Sequence, residues 1–201
     1  TGIVGNAIAG IVLTYSRSFK VGDRVCIGDN LGDIVSLGFF ATKLRTPRNE
    51  EITLPNGQMA NQAIVNYSRL AGEAGLILYT QVTIGYDAPW RQVQALLLAA
   101  AARTPGIRRT PSPYVYQRAL SDFYVEYELF ASIDDPAQRI PVQSALHASI
   151  LDEFNEHGVQ IMSPHFYAQP EEPVVVPKED WYAAPAHRLE PGASPVERQV
   201  T

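Results

Sequence analysis

The sequence predicts an α+β protein in which a short apolar helix feeds a small β barrel and then an α/β domain. Three observations carry that expectation. Thr1 to Ser16 is an uncharged run rich in Gly, Ala and branched aliphatic residues. From Phe19 to Ser68 the hydrophobic period falls to two, with Gly-Asp and Asn-Gly punctuation between the runs. After Leu76, strand-like and helix-like stretches alternate in the order β-α-β-β-α-β, the ferredoxin-like arrangement.

Residues 1–16 form the first segment. On a helical wheel Gly2, Gly5, Asn6, Ala9 and Gly10 gather on one side, and Val4, Ile8, Ile11, Val12 and Tyr15 on the other. Leu13 is the exception on the small side. Small residues three to four positions apart let helices approach closely in a membrane. Their poor helix propensity suits a buried helix of a soluble protein badly. Tight packing of identical helices is therefore expected. The run is about 16 residues, short of the roughly 20 that span a bilayer. It has no Met, basic n-region or cleavage site, so it is not a signal peptide. A chain that begins uncharged and apolar is expected to be the C-terminal part of a longer membrane protein.

Residues 17–69 are the predicted barrel. Val25 alternates with Ile27, and Ile52 with Leu54. Gly32 to Arg45 is long for one strand, so it should bend strongly, with Gly38 as the place for a bend or bulge. Phe39 and Phe40 then fall on opposite faces by alternation. One is expected in the barrel core, and Phe40 is expected to face the helix near Asn6. Four or five short strands in about fifty residues suit a small closed barrel of the Sm-like or SH3-like kind. Cys26 lies in an alternating pattern and reads as a small buried hydrophobe. As the single cysteine it excludes an internal disulfide and is consistent with a reducing compartment. Residues 70–75 read as a linker.

Residues 76–167 make the ferredoxin-like domain. Leu76 to Tyr86 is β-branched and aromatic, hence a strand. Asp87 is placed to cap a helix with Pro89 in its first turn, and Val93, Leu96, Leu97 and Ala100 mark the buried face. Tyr114 to Ala119 and Phe123 to Ile133 predict a hairpin, with Phe123, Val125, Tyr127 and Leu129 inward. A second helix runs from about Gln138 to His157 on Val142, Leu146, Ile150 and Phe154, with Gly158 as C-cap. Val159 to Met162 is a final short strand. Residues 168–201 hold six of the fifteen prolines and no period, so they are expected to be extended or disordered by themselves. Val174 to Val176 suits one short strand if a partner is present.

Net charge is −5, which argues against a nucleic-acid partner needing a basic face. A local basic excess from Arg17 to Arg48 fits a cytoplasmic membrane flank and a solvated barrel surface equally well. The glycines from Gly5 to Gly10 lack the Lys and Ser/Thr of a phosphate loop. His147, His157, His165 and His187 have no metal-ligand spacing, and the carboxylates occur as adjacent, solvated pairs. No serine sits in a nucleophile elbow. The sequence offers no catalytic constellation and implies no cofactor or metal.

Certain motifs stand in a particular order: Phe19, Gly22-Asp23, Gly32, Thr46, Pro55-Asn56-Gly57 and Asn66-Tyr67-Ser68, behind the small-residue helix. In this the chain resembles the small-conductance mechanosensitive channel family, from Gly2 to Tyr167 and most closely from Gly5 to Arg69. Ser18 departs from the pattern, since many members carry Pro there. The resemblance implies a homo-heptamer in the inner (plasma) membrane that opens under tension and releases ions and small osmolytes. It implies that residues 1–16 are the end of a pore-lining helix, kinked near Gly2 and Gly10. It also implies that Gly2, Gly5, Asn6, Ala9 and Gly10 line or pack the pore, with Phe19 and Phe40 coupling helix to barrel. The bilayer is then met through this helix and through spans preceding Thr1. The competing reading is a soluble Sm-like scaffold or RNA-binding protein, disfavoured by the acidic charge and the pore-like helix. A small enzyme on the ferredoxin-like domain lacks an anion loop with a poised base.

Overall fold

The computed structural model describes residues 2–161 and 175–187, and the backbone divides into two compact units, residues 1–76 with 135–137 and residues 77–134 with 138–201. The first unit opens with α1 (Gly2–Ser16), unbroken across Gly10. It continues with β1 (Arg24–Ile27), β2 (Asn30–Leu37), β3 (Ala41–Arg45), β4 (Glu51–Pro55), α2 (Asn56–Met59), β5 (Ile64–Asn66) and α3 (Ala71–Ala74). The five strands form one antiparallel sheet in the order β4-β3-β2-β1-β5. Alternation along them buries Val25, Ile27, Ile34, Leu44 and Leu54, which pack with Phe19 and Met59 into one core.

Three expectations for this unit are corrected. The stretch from Gly32 to Arg45 is two strands, because the chain reverses fully at Gly38–Phe40; the irregularity in β2 lies between Ile34 and Ser36. Phe39 and Phe40 therefore belong to a turn, where strand alternation does not apply, and neither ring enters the core. Both are about half exposed and meet edge to face, with centroids 5.0 Å apart. Cys26 is half-buried, since it lies on the face of β1 opposite Val25 and Ile27; its Sγ reaches the Gly28 carbonyl at 3.1 Å. Within the stretch expected as a linker lies the helical turn α3, closed by the Gly75 N–H on the Ala71 carbonyl, which leaves that expectation as it stands.

The second unit comprises β6 (Leu76–Ile84), α4 (Trp90–Arg103), β7 (Tyr114–Leu120), β8 (Val125–Ile133) and α5 (Arg139–Glu156). Its sheet runs β6-β8-β7, with β7 and β8 antiparallel. The i, i+3, i+4 residues of α4 (Val93, Leu96, Leu97, Ala100) and of α5 (Val142, Leu146, Ile150, Phe154) are buried. Most of them join Tyr127 and Leu129 in one core. Here too the structure differs in places. Proline 89 rather than Asp87 occupies the N-cap of α4, without a side-chain cap. Phe123 precedes β8 and is exposed, because the strand starts only at Val125. Among the described residues after α5 the expected strand is represented by one bridge, between Ile84 and Ile161, and Met162 lies outside them. The Pro-rich segment, expected to be extended or disordered, carries a 3₁₀ turn at Lys178–Tyr182. Val174 and His165 also lie outside the described residues.

Candidate functional site

The functional candidates converge where α1 lies on α2 and on the Gly38–Phe40 turn of its own unit. Asn56 is the keystone. It follows Pro55 at the end of β4, opens α2, and is almost wholly buried. A buried amide must place all its hydrogen-bonding groups. Asn56 does so: Nδ2 donates to the Gly38 and Phe39 carbonyls, each at 3.0 Å. Its Oδ1 accepts from Thr42 Oγ1 at 3.0 Å, and its backbone N–H donates to the Phe40 carbonyl at 2.9 Å. The Gly38–Phe40 turn is thereby bolted to α2.

Helix α1 docks on this bolted surface. The next residue, Gly57, donates its N–H to Asn6 Oδ1 at 2.8 Å. One turn later Gly10 lies so close that a Cβ there would sit 2.5 Å from the Phe39 carbonyl oxygen and 2.6 Å from Asn56 Nδ2. Only glycine permits that approach. Ala9 is also buried, and Leu13, the apolar exception on the small face, packs against the core that holds Phe19.

A second fastening secures the exit of α1. Helix α1 ends at Ser16, and Arg17 follows it in the left-handed region, with a φ of +48°. Asp23, buried, accepts from the Lys20 N–H at 3.0 Å and from Asn66 Nδ2 at 2.8 Å. Asn66 Nδ2 also donates to the Ser18 carbonyl at 3.1 Å, while its Oδ1 accepts from the N–H groups of Ser68 and Arg69. Ser68 Oγ takes the Arg24 N–H at 2.9 Å. Arg24 then pairs with both oxygens of Asp33 at 2.7 and 2.8 Å, and that hydrogen bonding raises its pKa and holds it charged. Gly22, at φ +92°, supplies the left-handed turn before Asp23.

Within one chain the five small-face residues thus divide. Asn6 and Gly10 face α2 and the Gly38–Phe40 turn and Ala9 is buried, whereas a Cβ at Gly2 or Gly5 would meet nothing within 4 Å. Phe19 is in the core and the Phe40 ring is half exposed. The opposite face of α1 exposes Ile3, Val4, Ile8, Ile11, Val12 and Tyr15. Among the described residues no helix is long and apolar enough to cross a membrane. What this junction can do is mechanical: it ties an apolar helix to a folded body through short polar contacts. The roles of Asp23, Asn56 and Asn66 could not be read from sequence, where an Asn beside Gly looks only like turn punctuation; the clue was polar residues spaced among core positions.

Residues 2–69 match the family description "Mechanosensitive ion channel, beta-domain", and residues 78–161 match "Mechanosensitive ion channel MscS, C-terminal". The chain belongs to the MscS family of mechanosensitive ion channels. Among curated relatives of this MscS-family chain, the miniconductance mechanosensitive channel MscM of Escherichia coli is 27% identical over 164 residues. That stretch covers 82% of this chain and 15% of the relative. The mechanosensitive channel MscK of the same organism is 27% identical over 127 residues, covering 63% and 11% respectively. The chain spans about a seventh or less of the length of these relatives. Of the solved structures, Helicobacter pylori MscS in its closed state superposes with a TM-score of 0.68 at 20% identity, over 85% of this chain and 66% of that one. Arabidopsis thaliana MSL1 does so at 0.59 and 19%, over 81% and 59%. At such identities the superpositions establish a shared fold.

Proposed function

We propose that this chain is the pore-helix end and cytoplasmic portion of a channel that opens under membrane tension, releasing ions and small osmolytes during hypo-osmotic shock. The carrying observation is the two-faced helix α1. One face is stitched to α2, the Gly38–Phe40 turn and the core through Asn6, Gly10 and Leu13, while the other leaves six large hydrophobic or aromatic residues uncovered. A lone domain gains nothing from that exposure, but a helix that meets lipid or other channel helices does.

In this reading residues 1–16 are the end of the pore helix and 17–69 an Sm-like barrel. Residues 70–75 link to a ferredoxin-like domain at 76–167, and 168–201 form a Pro-rich tail. The β4-β3-β2-β1-β5 sheet and the β-α-β-β-α order support these assignments. Seven copies surround the axis in the inner membrane, with spans upstream of Thr1 completing the contact with the bilayer. Gly2 and Gly5, open within one chain, then pack against neighbouring helices, with Ala9 at the rim of the same small face. Phe19 and Phe40 anchor the helix exit and the turn beneath it. An apolar constriction blocks ions by dewetting, and tension favours the state of larger membrane area. The family match disfavours a soluble scaffold or RNA-binding protein.

The experiment is survival of osmotically fragile cells, stripped of their own channels, that express the full-length protein through a sudden downshift. Rescue is expected. Failure to rescue, with the protein present in the membrane and assembled, would refute the reading.

A further inference from the structure

We propose that residues 175–187 form a detachable strap on the first turns of α4, with Arg91 as its clasp. The guanidinium of Arg91 lies 4.1 Å from the Trp90 ring centroid on its own helix. On the tail it lies 4.7 Å from the Tyr182 ring and 5.8 Å from the Trp181 ring. A guanidinium flanked by aromatic faces at such distances is held by the negative potential of their π systems. Next to it, Gln92 Nε2 donates to the Ala184 carbonyl at 2.7 Å. The strap is also ordered internally. Trp181 Nε1 donates to the Val176 carbonyl at 3.2 Å, and the N–H groups of Asp180, Ala183 and Ala186 close turns on Pro177, Asp180 and Ala183.

The decisive feature is what this contact lacks. None of residues 175–187 is buried, and Trp181 keeps 43% of its surface exposed. The segment is therefore not part of the described core of its unit, which Val93, Leu96, Leu97 and the side chains around them form. A segment without a buried residue, resting on its body through surface contacts, opens at far lower free energy than that body. Both tryptophans of the chain lie in the clasp. Composition alone placed this Pro-rich stretch among segments that cannot order themselves. Arg91 supplies the partner it needs, so the strap has a closed state on α4 and an open state in solvent.

The test is hydrogen exchange of the full-length protein, read at the amides of Asp180, Ala183 and Ala186 and at core amides of α4 and β8. In the wild type the strap amides should exchange more slowly than an unstructured chain yet far faster than the core. Arg91→Leu should bring them to unstructured rates, a loss of about tenfold or more, with the core amides unchanged. Tyr182→Ala on the strap side should do the same, and Arg91→Lys should keep part of the protection. Unstructured rates in the wild type, or no response to Arg91→Leu, would overturn the proposal. So would loss of strap and core protection together, which would make the segment an integral part of the fold.

Discussion

Adding one methyl group at Gly10 tests the junction most sharply. The new Cβ would stand 2.5 Å from the Phe39 carbonyl oxygen and 2.6 Å from Asn56 Nδ2. Neither group can yield, because the carbonyl belongs to the backbone and the amide holds the turn through its bonds to Gly38 and Phe39. Helix α1 must retreat by roughly 1 Å to restore ordinary contact. Overpacking of this kind costs about 1–3 kcal/mol. Stretching the Asn6 bond to Gly57 adds about 0.5–1.5 kcal/mol. Alanine returns about 0.8–1 kcal/mol through its better helix propensity. Gly10→Ala should thus weaken the docking of α1 by a net ~0.5–3.7 kcal/mol. Hydrogen exchange at the Gly57 amide, whose acceptor is Asn6, reads this directly. Its protection should fall roughly 2- to 400-fold. Gly5→Ala is the control: a Cβ there meets nothing within 4 Å in the chain, so Gly57 protection should hold. Equal protection in the two variants would refute the close-approach argument.

Three further outcomes follow from the same geometry. Asn6→Ala removes the acceptor of the Gly57 N–H and should loosen α1 by about 0.5–1.5 kcal/mol. The full-length variant should close or inactivate differently under sustained tension, and unchanged patch-clamp kinetics would count against coupling through this bond. Phe40→Ala removes a half-exposed ring outside the core. It should cost less than ~1 kcal/mol in a thermal melt, well below the 3–5 kcal/mol typical of a core aromatic, while altering closing; an unfolded domain would contradict that. Burial pushes the Tyr127 hydroxyl up to about 12, from an ordinary 10.0. A phenol whose folded pKa is raised contributes stability that is complete below about pH 10 and lost as pH rises toward about 12. Alkaline melts of the chain should fall across that window, and Tyr127→Phe should flatten the fall; an identical slope in the variant would exclude Tyr127 as its source.

The sequence made the helices of the second unit legible because their packing is carried by spacing alone. Val93, Leu96, Leu97 and Ala100, and then Val142, Leu146, Ile150 and Phe154, recur at helical intervals and are buried. The division of residues 32–45 into two strands was hidden. The turn at Gly38–Phe40 carries two bulky aromatics and is held by Asn56, 17 and 18 residues away from the carbonyls it binds. Sequence pattern reports local propensity, and a turn stabilised from a distance escapes it. The small face of α1 was visible on the helical wheel, but its contact with Gly57 and Phe39 was not, since the wheel ranks side chains by size without naming what they meet. The contact of the tail with Arg91, a residue far upstream, escapes local pattern in the same way.

Tension-clamped patch recording of the full-length protein, in membranes lacking other mechanosensitive channels, tests the central claim most directly. The account predicts a conductance that is silent at rest, opens with rising tension below the lytic limit, and opens at shifted tension when Ala9 becomes Leu. Patches that reach lysis without a conductance, although the assembled protein is present in them, would contradict it.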